Sequence, residues 1–166
     1  MDREHLQITS YSVAETQKLG QIIGTRIDRP IRIALTGGLG SGKTAFVQGL
    51  AKGLDVSKHY YITSPSFTLI NEYPGRQRLF HVDLYRIEHL NELGEIELQE
   101  VLAQDAVIAV EWAEKLSREM LSDHLKLQFK LISDDIRQIE IFAYGQQAGN
   151  LIKALQKINL REKRCH

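Results

Sequence analysis

The segment Gly37-Gly38-Leu39-Gly40-Ser41-Gly42-Lys43-Thr44 constrains this chain more than any other. So many glycines in so short a stretch favour neither strand nor helix, because glycine loses the most freedom on ordering. Before it runs Ile31-Arg32-Ile33-Ala34-Leu35-Thr36, short, β-branched and apolar, as a buried strand requires. After it comes an amphipathic helix over about 43 to 54. The eight residues fit G-x-x-x-x-G-K-[ST], the P-loop or Walker A pattern, in the context that the pattern needs. In such a loop Gly37, Gly38, Leu39, Gly40, Ser41 and Gly42 wrap backbone N–H groups around phosphate oxygens, and the helix adds its positive end. Lys43 would reach the β and γ phosphates, and the Thr44 hydroxyl would bind Mg²⁺.

The rest of the chain alternates between strand and helix patterns. Leu6 to Thr9 reads as a short strand, and Ser12-Val13-Ala14-Glu15 as a capping box, the glutamate reaching back to the cap. Leu19, Ile22, Ile23 and Ile27 then recur at helical spacing, predicting a helix over about 13 to 27. Tyr60 to Ile70 looks extended, broken at Ser64-Pro65. Leu79 to Asp83 and Ala106 to Glu111 read as buried strands, with a helix over Glu92 to Leu102 between them. Leu125, Leu127, Phe129 and Leu131 alternate, as do Ile136, Ile139 and Ile141; with Ser133-Asp134-Asp135 between them they predict an antiparallel hairpin. A last helix over 146 to 158 precedes a polar tail. The expectation is one α/β domain over 1–166: a central, mostly parallel sheet flanked by helices, an antiparallel C-terminal hairpin, and residues 158–166 as a flexible tail.

Two acids end apolar strands, Asp83 and Glu111. Ligands of open α/β sheets sit beyond the carboxyl ends of strands. Strands parallel to the one before the loop would bring both carboxylates to the same Mg²⁺·nucleotide, one holding the metal directly or through water, the other orienting an attacking water. Sequence does not divide those roles. Ser64-Pro65-Ser66-Phe67-Thr68 offers hydroxyls where many P-loop proteins sense the γ-phosphate, though a plain turn fits equally. Trp112 reads first as a half-buried core residue. His81 shares a strand face with Asp83 and is a structural histidine or a hydrogen-bonder behind the site. Arg86, Arg118 and Arg137 are candidate phosphate or base contacts, but single arginines more often sit solvated on the surface.

Composition removes several classes. With 43 % hydrophobic residues and 21 Lys+Arg against 21 Asp+Glu, the chain is neither disordered nor charged for unspecific nucleic-acid binding. No apolar run approaches the roughly 18 residues of a membrane span. The single Cys165 excludes an internal disulfide and a cysteine-rich zinc site. Met1-Asp2-Arg3-Glu4-His5 lacks the regions of a signal peptide, so the expected compartment is the cytoplasm.

Gly37 to Thr44, Ser64 to Leu69, His81-Val82-Asp83-Leu84-Tyr85-Arg86 and Val110-Glu111-Trp112, in this order and at these spacings, resemble the TsaE (YjeE) family over about residues 8 to 145. That resemblance implies a small bacterial ATPase binding ATP with Mg²⁺ and hydrolysing it slowly. It implies association with the TsaB–TsaD pair, in which TsaD transfers a threonylcarbamoyl group to an adenosine of tRNAs reading ANN codons, and hydrolysis that resets the complex between turnovers. On matching positions it makes Lys43 the phosphate lysine and Thr44 a Mg²⁺ ligand. Asp83 takes the Walker-B-like place, Glu111 is the further acid at the metal, and Trp112 lies next to the nucleotide. Ser12 and Val13 approach the adenine end, and Ser66 holds the switch position. Gly38 stands where the family often has an acid, and Ser66 where threonine is usual.

Other classes remain as rivals. A nucleotide-dependent binding switch would need no turnover for partner function. A small-molecule kinase would need an arginine-rich lid, and no compact arginine cluster follows Asp83. A guanine reader would need N-K-x-D, which does not occur. An RNA-binding module would need an aromatic-basic motif. No arginine finger is evident, which predicts slow intrinsic turnover.

Overall fold

Side chains on a strand alternate between its two faces, and the apolar strands of this chain separate into two clusters accordingly. Ile33 and Leu35, Val107 and Ala109, and Leu79 pack into one cluster; Ala34, Ile108 and Val110, and Phe80 and Val82 pack into the other. The sheet is therefore buried on both faces, as near-continuous apolar strands require.

The computed structural model describes residues 4–65, 68–89 and 95–158. In chain order the elements are β1 (His5–Ser10), α1 (Val13–Arg26), β2 (Arg32–Gly37), α2 (Lys43–Gly53), β3 (Ile70–Tyr73), β4 (Leu79–Asp83), α3 (Glu95–Leu102), β5 (Val107–Glu111), α4 (Arg118–Leu121), β6 (His124–Leu131), β7 (Arg137–Tyr144) and α5 (Gln146–Gln156). The strands form one seven-stranded sheet, ordered β1-β7-β6-β2-β5-β4-β3. Residues of α1, α2 and α5 fill the first cluster, and residues of α3 and α4 the second. No described helix is long and apolar enough to cross a membrane.

The centre of the sheet is parallel, as the sequence predicts, and antiparallel strands extend it at both edges. β2 runs parallel to β5 and β6, and β4 to β5. Three further pairings, β1 with β7, β3 with β4 and β6 with β7, are antiparallel. The C-terminal hairpin forms as expected, and its first strand joins the centre of the sheet beside β2. Two antiparallel partners went unread. β3 has the sequence Ile-Asn-Glu-Tyr, which shows no clean alternation, and turns back onto β4. β1 pairs with β7 from the far end of the chain, which no local pattern can signal. The capping box is also shifted. Ser12 Oγ accepts from Glu15 N–H at 3.1 Å, but the Glu15 carboxylate accepts from Tyr11 N–H, one residue before the cap. Residues 92–94 of the expected third helix and 159–166 of the expected tail lie outside the described residues.

α1 and α2 approach until backbone meets backbone. A Cβ on Gly49 would lie 1.8 Å from Gln17 O, and one on Gly20 2.2 Å from Phe46 O. This crossing packs α2, whose first turn carries Lys43 and Thr44, rigidly against α1. Overpacking costs about 1–3 kcal/mol or more, and here the obstacle is a main-chain oxygen that cannot rotate away. Alanine returns about 1 kcal/mol of helix propensity. Gly49→Ala is therefore expected to lose about 2 kcal/mol of stability in urea unfolding; an unchanged midpoint would contradict the close crossing.

Candidate phosphate-binding site

The loop leaves β2 at its carboxyl end and enters α2 directly. Gly37, Gly40 and Gly42 have φ of 144°, 74° and 110°, a region that L side chains avoid. The crest is open: a Cβ on Gly38 or Gly40 would meet nothing within 4 Å, and Leu39 is 74 % exposed. Beneath the crest Lys43 is buried at 5 % exposure. Its ammonium donates to Gly37 O at 2.6 Å, Gly38 O at 2.8 Å and Ser41 Oγ at 3.4 Å. It also lies 4.3 Å from the centre of the Trp112 ring. Burial pushes the Lys43 pKa below the ordinary lysine value, while Glu111, Glu114 and Asp83 pull it upward.

Period two explains why an acid meets the helix. Val107 and Ala109 pack into the cluster that α2 also fills, so Glu111, two residues on, faces the same side. Its carboxylate Oε1 accepts from the Thr44 hydroxyl at 2.7 Å. The same oxygen lies 3.1 Å from His81 Nε2, so Nε2 carries the proton toward the carboxylate. His81 is fully buried, and its Nδ1 has no hydrogen-bond partner among the described residues. Asp83 stands opposite Glu111 in the β4–β5 register and is also buried. Its carboxylate accepts from the Ser64 hydroxyl and, at 2.9 Å, from Tyr85 N–H. Beyond it the Lys115 ammonium donates to the carbonyls of Leu84, Tyr85 and Ile87 at 2.6, 2.9 and 2.6 Å, fixing the chain that follows Asp83.

The fold thus brings Lys43, Thr44, Glu111 and Trp112 into direct contact. Asp83 lies alongside, with Ser64 as its hydroxyl partner. Thr68 instead bonds Asn71 Oδ1 at 2.9 Å, and Ser66 lies outside the described residues. Trp112 adopts φ 60°, uncommon for a bulky residue. Its ring packs partly on the second cluster and 4.9 Å from the Tyr85 ring. Ser12 caps α1, and Val13 is 50 % exposed at the start of that helix. Thr16 of the same helix borders the loop, 3.6 Å from a Cβ placed on Gly42. Of the three arginines that the sequence offers as phosphate or base contacts, Arg137 reaches the loop itself, donating through Nε to Ser41 O at 3.0 Å.

The donor set suits magnesium. No group of three or more His, Cys, Asp or Glu is placed to hold a metal among the described residues. Mg²⁺ needs no such cage, since one or two protein oxygens, water and substrate phosphates complete its shell. Thr44 and Glu111 offer oxygens, as does Asp83 at the neighbouring strand end.

A mixed α/β sheet that carries the G-x-x-x-x-G-K-T loop between strand and helix, with an acid of the adjacent strand on its threonine, defines the class of this protein. The comparisons narrow it. Residues 10–139 match the family model described as "Threonylcarbamoyl adenosine biosynthesis protein TsaE". The TsaE protein of Treponema pallidum is 33 % identical over 136 residues, covering 82 % of this chain and 99 % of the relative. That of a Nostoc species is 36 % identical over 153 residues, covering 88 % and 93 %. The crystal structure of Bacillus subtilis YdiB superposes with a TM-score of 0.76 at 28 % identity, covering 95 % of this chain and 97 % of that one. This chain belongs to the TsaE family.

Proposed function

We propose that this protein binds ATP with Mg²⁺ at the Gly37–Thr44 loop and hydrolyses it slowly in the cytoplasm. On this reading it supports threonylcarbamoyladenosine modification of tRNA through a TsaB–TsaD complex. The observation that carries the proposal is the contact of Thr44 with Glu111 at 2.7 Å, beside the buried Lys43 of a glycine loop. Family membership supports the tRNA pathway.

The geometry supports the following roles. Loop amides and the first turn of α2 bind the phosphates. The Lys43 ammonium, held by two loop carbonyls, supplies the positive charge on the β and γ groups. Thr44, with Glu111 or Asp83, would hold Mg²⁺, which when bound neutralises charge developing on the transferred phosphoryl group. The other acid orients the water that attacks in line. His81 fixes the Glu111 carboxylate from behind. On the family resemblance Trp112, whose ring lies 4.3 Å from the Lys43 ammonium, stands next to the nucleotide, and the Ser12–Val13 turn approaches its adenine end.

An enzyme without its own arginine finger turns over slowly until a partner completes the site. The isolated protein is therefore expected to hydrolyse ATP slowly, and addition of TsaB–TsaD to raise the rate. Fast hydrolysis by the isolated chain, indifferent to TsaB–TsaD, would contradict the reading.

A further inference from the structure

Arg137 opens β7 opposite Ser10 of β1 and Leu131 of β6, and it is buried at 7 % exposure. An arginine inside a sheet needs a reason, because its charge is costly to desolvate. Its Nε donates to the carbonyl of Ser41 at 3.0 Å, and its Nη1 to Asp135 O at 3.2 Å. It also lies flush against the loop: a Cβ on Gly42 would stand 2.9 Å from Nε and 3.1 Å from Cδ. The same hairpin touches the other end of the loop, where a Cβ on Gly37 would lie 2.6 Å from Phe129 O. The β6–β7 hairpin therefore brackets the loop at both ends.

The planar trans peptide turns this contact into a constraint. The carbonyl of one residue and the N–H of the next point in opposite directions across the peptide plane. With Ser41 C=O bound to the guanidinium, Gly42 N–H is turned away from Arg137, and it is the backbone amides of a P-loop that bind phosphate. Gly42, at φ 110°, has no side chain to restrict that plane, so a bond from outside the loop adds to what the loop's own hydrogen bonds hold. We propose that Arg137 is a positioning residue for phosphate binding: it locks the Ser41–Gly42 peptide from the hairpin, so that the Gly42 amide is preset to donate to the anion. A flipped peptide would present a carbonyl oxygen to the phosphate instead.

This inference rests on the nucleotide reading above, and the test separates the two. The first arm follows the amide resonances of the loop in the wild-type protein as ADP with Mg²⁺ is added. The expected result is a large downfield shift of the Gly42 amide on binding. The second arm measures ADP affinity by calorimetry for wild type, Arg137→Gln and Arg137→Lys, beside the thermal midpoint of each without nucleotide. Arg137→Gln is expected to weaken ADP about tenfold or more and to abolish the Gly42 shift. Arg137→Lys, which keeps a donor and the charge, recovers part of the affinity. A merely structural role would move the midpoint and leave the affinity of the folded molecules alone. Wild type that binds ADP with a stationary Gly42 amide, or Arg137→Gln that binds ADP within about twofold of wild type, overturns this inference alone. Wild type that binds no ADP overturns the nucleotide reading and this inference together.

Discussion

Lys43→Ala is expected to lower ATP turnover by about two to three orders of magnitude, the usual cost of removing one preorganised charge from a transferring group. Nucleotide binding weakens with it, because the ammonium serves ground state and transition state alike. The folded state has less at stake. Burial disfavours the charged ammonium, as the lowered pKa reports, so its removal relieves a cost while freeing the Gly37 and Gly38 carbonyls. The two effects oppose each other, and the thermal midpoint without nucleotide should stay near that of wild type. Steady-state hydrolysis beside thermal unfolding checks both halves. A Lys43→Ala protein with normal turnover would place the reaction elsewhere in the molecule.

Glu111→Gln tests the acid in the same way. Glutamine keeps the length of the side chain and an oxygen to accept from Thr44, and loses the negative charge. Turnover is expected to fall about a hundredfold while folding survives. Glu111→Ala adds a structural penalty. Oε1 is the partner of His81, whose other nitrogen has none among the described residues, so alanine leaves a fully buried imidazole without any. A stranded buried polar group costs about 1–3 kcal/mol, which urea unfolding would read as a lower midpoint for alanine than for glutamine. Equal hydrolysis by Glu111→Gln and wild type would remove Glu111 from the metal site.

The sequence carried much of this arrangement because its signals were local. The glycine loop, its strand and its helix lie within one short stretch, and the apolar runs ending at Asp83 and Glu111 announced two strands and their terminal acids. Which acid meets Thr44 depends on strand neighbours and register, and β5 rather than β4 lies beside β2. Arg137 could not be separated from other arginines, because its contact with Ser41 spans 96 residues. The pairing of β1 with β7 was hidden for the same reason. The glycines of α1 and α2 read as weak helix formers until their packing supplied the cause. Ser64 was one of three hydroxyls in its stretch, and only the fold places it on Asp83.

The most direct test of the account is calorimetric titration of ATP with Mg²⁺ into wild type and Lys43→Ala, side by side. The account predicts saturable binding of about one ATP per chain by wild type, dependent on Mg²⁺ and strongly weakened in the variant. No binding by wild type, or equal binding by both proteins, would contradict it.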